Sequence, residues 1–240
     1  MNKPILIQGA MELEIEYIVK HLENLEKINI NGYDFYKGII SGKDIVVSTI
    51  KVGAINSAVA TILGINEFNP RMVINQGIAG GHATNVHVGD IVILEYAINM
   101  NSYITSAFDE GEGIHPENWE LVTFTGDGNP KLEKIPADFN LIREFKNILE
   151  TKEKIHIGTI ISGDGWNQEV DRIKWFMENF DSKCEDMETY SAYKVCSDNN
   201  IPVIGIRIAC NNTINHEEYE PNLAIKMQEV IVDCIKDLKI

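Results

Sequence analysis

Apolar positions along this chain follow two periods, and segments of the two kinds alternate from one end to the other. Short runs rich in β-branched residues, bounded by glycine, asparagine or proline, predict buried strands over Pro4 to Gln8, from Met72 onward, Ile91 to Asn99, Ile155 to Ile161 and Pro202 to Ala209. Tyr33 to Ile40 and Asp44 to Ile50, joined through Ser41-Gly42-Lys43, predict a hairpin. Apolar residues three and four apart predict helices over Glu12 to Leu25, Asn56 to Phe68, Phe139 to Leu149 and Val170 to Asn179, and a further one ending near Cys196. The last helix carries Leu223, Met227, Val230, Ile231, Cys234, Ile235 and Leu238 along one stripe, the strongest amphipathic pattern in the chain. Asp109 to Pro136 is rich in Gly, Pro, Asp, Glu and Asn and predicts a long excursion between core elements. With no internal repeat, the alternation predicts residues 1–240 to form one α/β domain.

Charge narrows the range of partners. Twenty-one basic against 36 acidic residues give a formal net charge of -15. That balance argues against nucleic acid, which needs a basic face. No apolar run approaches the length of a membrane helix, and MNKPILIQGAMELE meets carboxylates too soon for an export signal, so a cytoplasmic location is expected. Cys184, Cys196, Cys210 and Cys234 have neither C-x-x-C nor zinc spacing and are expected to be reduced core residues. His82 and His87 lack a third ligand and are expected at the surface, so neither metal nor cofactor is implied.

Candidate chemistry gathers where strands end. MVINQGIAGGHATNVHVGDIVIL, Met72 to Leu94, places Gly77-Ile78-Ala79-Gly80-Gly81 after an apolar run, a glycine turn suited to the floor of a pocket or simply to a tight strand end. Glu14 follows the first strand directly, so it is either a solvated first-turn carboxylate or part of a site at the strand's carboxyl end. Met187-Glu188 lies at a strand-to-helix junction and has the same two readings. Arg207 sits inside IPVIGIRIAC, where a guanidinium must be paired, and Glu14 and Glu188 are the expected partners.

These segments also occur in a familiar order. GAMELE at 9–14, NQGIAGG at 75–81 with VGDIV at 88–92, SGDGW at 162–166, DME at 186–188 and the arginine strand at 203–211 resemble the purine nucleoside phosphorylase/uridine phosphorylase superfamily. Among its branches the pattern is most similar to the 5'-methylthioadenosine/S-adenosylhomocysteine nucleosidases. The resemblance implies a central mixed, twisted β-sheet flanked by helices and hydrolysis of a purine nucleoside to free base and (thio)ribose. It implies that Glu14 activates the attacking water, that Arg207 orients that water and Glu14, and that Glu188 grips the ribose hydroxyls with Met187 packed beside it. Trp166 would stack on the purine and the backbone of Asn167 would read the base edge. Met11, Ile78, Ala79 and Gly80 would line the substrate pocket, Tyr219 would stand beside the 5' pocket, and Phe108 would be lent by a second subunit of a homodimer.

Two positions depart from that pattern. Asn211 stands where those nucleosidases have the aspartate that donates to purine N7, and an amide offers two donor hydrogens and one acceptor but no acidic proton. Ile78 replaces a serine or threonine. These changes keep open a 6-oxopurine nucleoside phosphorylase, a futalosine-like nucleosidase and a nucleoside-binding protein without turnover. Asn75 stands where hexameric phosphorylases hold phosphate with arginine, which favours water as nucleophile.

Overall fold

Ile5–Gly9 (β1) is buried at every position and has a parallel neighbour on each edge. The computed structural model describes residues 3–239 apart from 114, 116–117 and 125–127. After β1 the chain makes a short 3-10 turn, Glu12–Glu14, and a helix of little more than one turn, Glu16–Lys20 (α1). Glu23–Ile30 (β2), Tyr33–Ile40 (β3) and Lys43–Thr49 (β4) follow as an antiparallel meander. Ala54–Phe68 (α2) leads to Met72–Gly81 (β5) and Ile91–Asn99 (β6). Tyr103–Ile104 (β7) pairs with Glu120–Leu121 (β8) in a small separate sheet, and Ile135–Pro136 (β9) lies beside β6. The remainder alternates: Phe139–Leu149 (α3), Ile155–Ser162 (β10), Val170–Phe180 (α4), Ser182–Asp186 (β11), Thr189–Asp198 (α5), Val203–Asn212 (β12) and Leu223–Asp237 (α6).

The main sheet is mixed, in the order β11-β10-β6-β12-β5-β1-β4-β3-β2. β11 also reaches back to β5, pairing Cys184 with Gly81 and Glu185 with Gly80, so β5, β12, β6, β10 and β11 close into a ring. Closure removes two free edges. It also brings the acidic end of β11 against the glycine-rich end of β5.

Three local expectations change. The helical spacing over Glu12 to Leu25 serves only Ile15, Ile18 and Leu22, which are buried; Asn24 takes a left-handed φ of 54° and the chain turns into β2. β2 is an edge strand whose side chains are exposed or half-buried, so it lacks the alternation that marks a strand in sequence. Gly77 to Gly81 is no turn, since β5 runs straight through it with β12 alongside. The glycines there make room: a Cβ on Gly77 would fall inside the Glu14 carboxylate, and one on Gly81 would lie 3.1 Å from the Asn211 carbonyl.

α6 buries Met227, Val230, Ile231, Cys234, Ile235 and Leu238 as its stripe requires. Gln228, on the same face, accepts from the Tyr17 N–H at 2.8 Å and donates to the Leu13 carbonyl at 2.7 Å. The last helix thereby clamps the turn that carries Glu14. All four cysteines are buried and free, and among the described residues no helix is long and apolar enough to cross a membrane.

Candidate active site

A cavity of about 240 Å³ opens where β1, β5, β11 and β12 end. It brings together Met11, Glu14, Ile78, Ala79, Gly80, Trp166, Asn167, Met187, Glu188, Asn211 and Tyr219 from five separate stretches of sequence. Phe108 is not among its lining residues; it is exposed and its ring tilts against His115. Arg207 is not in the lining either.

Glu14 is only 3% exposed, far from the solvated first-turn carboxylate that its place in the sequence allowed. Its Oε1 accepts from the Ile78 N–H at 2.9 Å, and its Oε2 from the Ala10 and Met11 N–H groups at 2.7 and 3.1 Å. Burial pushes its pKa above the ordinary carboxylate value, opposed by the Ile78 hydrogen bond and by the Arg207 charge. A buried carboxylate of raised pKa, fixed by three backbone donors, is an oriented proton acceptor.

Glu188 immediately precedes α5 without capping it; its side chain accepts from the Gly53 N–H at 2.8 Å, and its carbonyl accepts from Ser57 Oγ at 3.0 Å. The start of α2 is thus tied to this carboxylate. Burial pushes the Glu188 carboxyl up to about 8, and the neighbouring Asp186 charge adds to the push.

Arg207 pairs with neither Glu14 nor Glu188. Its Nη2 meets Asp186 Oδ2 at 2.7 Å and Thr189 Oγ1 at 2.8 Å, its Nε also points at Asp186, and its Nη1 donates to the carbonyls of Asn75 and Ile206. Asn75 Oδ1 takes a further short contact from Nη2. Asp186 lies at the end of β11 closest to the guanidinium and satisfies its fork, so the donors are spent before Glu14 is reached. Arg207 acts on Glu14 through its field, at a distance. Asn75, fully buried in this network, faces Arg207, Gln8 and Thr189.

His82 is also corrected: it is 1% exposed, with Nδ1 at 2.7 Å from Ser182 Oγ and Nε2 at 2.9 Å from Glu185 Oε2. Ring closure between β5 and β11 buries it, a long-range event with no local signal. His87 is exposed, beside Glu217. Glu185, which the sequence pattern left unassigned, lines the cavity and accepts from both the backbone and the side chain of Asn167 at 3.1 and 3.2 Å. At the mouth Trp166 and Tyr219 meet edge-on with centroids 5.3 Å apart, both largely exposed. Among the described residues no group of three His, Cys, Asp or Glu side chains is placed to hold a metal.

Fold and cavity together define a nucleoside phosphorylase-like α/β protein with a carboxyl-lined cavity where its strands end. The comparisons with known proteins agree. The chain belongs to the phosphorylase superfamily, whose family model matches residues 4–236. It is 30% identical over 238 residues to the 5'-methylthioadenosine/S-adenosylhomocysteine nucleosidase of Psychromonas ingrahamii, covering 94% of this chain and 96% of that one. The enzyme of the same name from Bacillus cereus is 26% identical over 98% of this chain and 99% of its own. Among solved structures, the Neisseria meningitidis nucleosidase in complex with methylthio-immucillin-A superposes with a TM-score of 0.79 at 26% identity, covering 99% of this chain and 100% of that one.

Proposed function

We propose that this protein hydrolyses the N-glycosidic bond of a purine nucleoside, as its relatives named for methylthioadenosine and S-adenosylhomocysteine do, releasing free base and the (thio)ribose, with the choice of base set separately by the groups that face it. The observation that carries the reading is the set of groups that line the cavity. Glu14, Glu185, Asp186 and Glu188 line it, and among the described residues the lining contains no lysine or arginine. Cleaving an N-glycosidic bond builds positive charge on the sugar, which carboxylates stabilise. A phosphate dianion would find carboxyl groups on every side and, among the described residues, no guanidinium fork or ammonium group in that lining to hold it. Water is therefore the nucleophile.

Glu14 takes the proton of that water, and a carboxylate whose pKa burial has raised is a stronger base than an ordinary one. Glu188 faces the ribose hydroxyls with Met187 beside it, and Ile78, Ala79 and Gly80 form the floor. Trp166 supplies the stacking face for the base, and Tyr219, in contact with it, flanks the 5' group. Asn211 offers its amide hydrogens to the departing base. Arg207 holds Asp186 and places positive charge behind Glu14. The exposure of Phe108 supports a homodimer in which it completes the partner's pocket, and four buried free cysteines support a cytoplasmic location.

Release of base from methylthioadenosine, S-adenosylhomocysteine and inosine, followed by chromatography with and without phosphate, tests the reading. Base released at the same rate in both is expected. Release that requires phosphate would make the protein a phosphorylase, and binding without release would leave it a nucleoside-binding protein.

A further inference from the structure

Glu185 occupies an unusual place for a buried carboxylate, since it fills the end of the cavity where a base would be read. Its Oε1 receives the Asn167 backbone N–H at 3.1 Å, and its Oε2 receives the Asn167 side-chain amide at 3.2 Å and faces His82 Nε2 at 2.9 Å. Gly80 leaves open the space between Glu185 and Asn211: a Cβ there would lie 3.5 Å from Glu185 Cγ and 3.5 Å from Asn211 Oδ1. Acid and amide face one gap.

The proton inventory fixes what Glu185 presents. Its Oε2 takes both the Asn167 amide and the His82 ring contact. Any proton shared with His82 Nε2 therefore lies on the Oε2 side, and Oε1 remains an acceptor, with a lone pair left beyond the one the Asn167 N–H occupies. The cavity thus has an acceptor in place of the free backbone donor that a neutral adenine N1 needs. Adenine offers N1 as a lone pair, and two lone pairs facing each other in a buried site repel. A 6-oxopurine carries hydrogen on N1 and donates to the carboxylate, and its O6 accepts from the Asn211 amide.

We propose that Glu185, held by His82 and Asn167, selects a nucleoside whose purine is protonated at N1, a 6-oxopurine of the hypoxanthine or guanine type, over adenine. This rests on the nucleosidase reading for turnover, but base recognition can be measured without it. The full-length protein and its Glu185→Val and Glu185→Gln variants are titrated with hypoxanthine and with adenine by calorimetry. Base release is measured in parallel from methylthioadenosine and from its 6-oxo counterpart, methylthioinosine.

Wild type is expected to bind hypoxanthine about tenfold or more tighter than adenine and to show a similar ratio in kcat/KM, because a buried acceptor left facing a lone pair is penalised. Glu185→Val, which frees the Asn167 N–H, is expected to erase or invert the ratio. Glu185→Gln, which keeps the size and the His82 contact, is expected to lower it. Adenine binding as tight as hypoxanthine in the wild type, binding of neither base, or a ratio unchanged in both variants would overturn the proposal. A hypoxanthine preference with no turnover of either nucleoside would sustain it while overturning the nucleosidase reading.

Discussion

Replacing Arg207 by methionine is the sharpest test of how the acidic site is held together. The guanidinium and Asp186 are each only 3% exposed at the side chain and stand 2.7 Å apart. Removing the guanidinium leaves Asp186 as an uncompensated charge beside Glu185 and Glu188, and strips donors from Asn75 and Thr189. Breaking a buried pair by deleting one partner costs about 3–5 kcal/mol. For a chain of this length that lowers Tm by roughly 6–20 °C, at about 2–4 °C per kcal/mol. Adding Asp186→Asn removes the orphaned charge while an amide oxygen still accepts from the Thr189 N–H, so the double variant is expected to recover at least half of the loss. Urea unfolding of wild type, both single variants and the double variant gives the full cycle. Additive losses, or a loss below about 1 kcal/mol for Arg207→Met, would refute the pairing as the support of the site.

Other outcomes follow from the same geometry. Glu14→Gln sets an amide against backbone donors and removes the base, so base release is expected to fall about 10²- to 10⁴-fold in initial-rate assays at unchanged far-UV circular dichroism. Gly77→Ala displaces Glu14 without altering any reacting group and is expected to cost a comparable factor. Because Glu188 is pushed up to about 8 in the fold, the folded state retains a proton that the unfolded chain releases near its ordinary value of 4.5. That contribution to stability is complete below about 4.5 and is lost as pH rises through about 8, so the Tm of Glu188→Gln is expected to gain on wild type between about pH 5 and pH 9. Trp166→Ala, at the mouth, is expected to raise KM more than it lowers kcat in steady-state assays.

Much of this architecture was legible in the chain. The α3 helix runs over the residues that its period marked, and the last helix spends its apolar stripe on the core. The acidic residues near strand ends were legible as candidates, since a charge that adjoins a buried β-branched run must be paired or put to use. Other features were not, because they are set by contacts distant in sequence. Edge strand β2 carries no alternation to read. Gly77 to Gly81 looks like a turn until β11 and β12 are seen to flank it, and only that closure turns His82 inward and makes Glu185 part of the cavity. The partner of Arg207 is hidden for a related reason: the sequence offers several acids, and only the register between β10 and β11, with Ser162 opposite Asp186, puts that one in reach.

The central claim is that a water held by Glu14 attacks the sugar. A single-turnover reaction in ¹⁸O-enriched water, without phosphate, reads this directly from the mass of the released sugar. One ¹⁸O at the anomeric hydroxyl of each sugar, at a rate that phosphate does not change and that Glu14→Gln lowers about 10²-fold or more, is the expected result. Base release that occurs only with phosphate, giving a sugar 1-phosphate free of label, would contradict it.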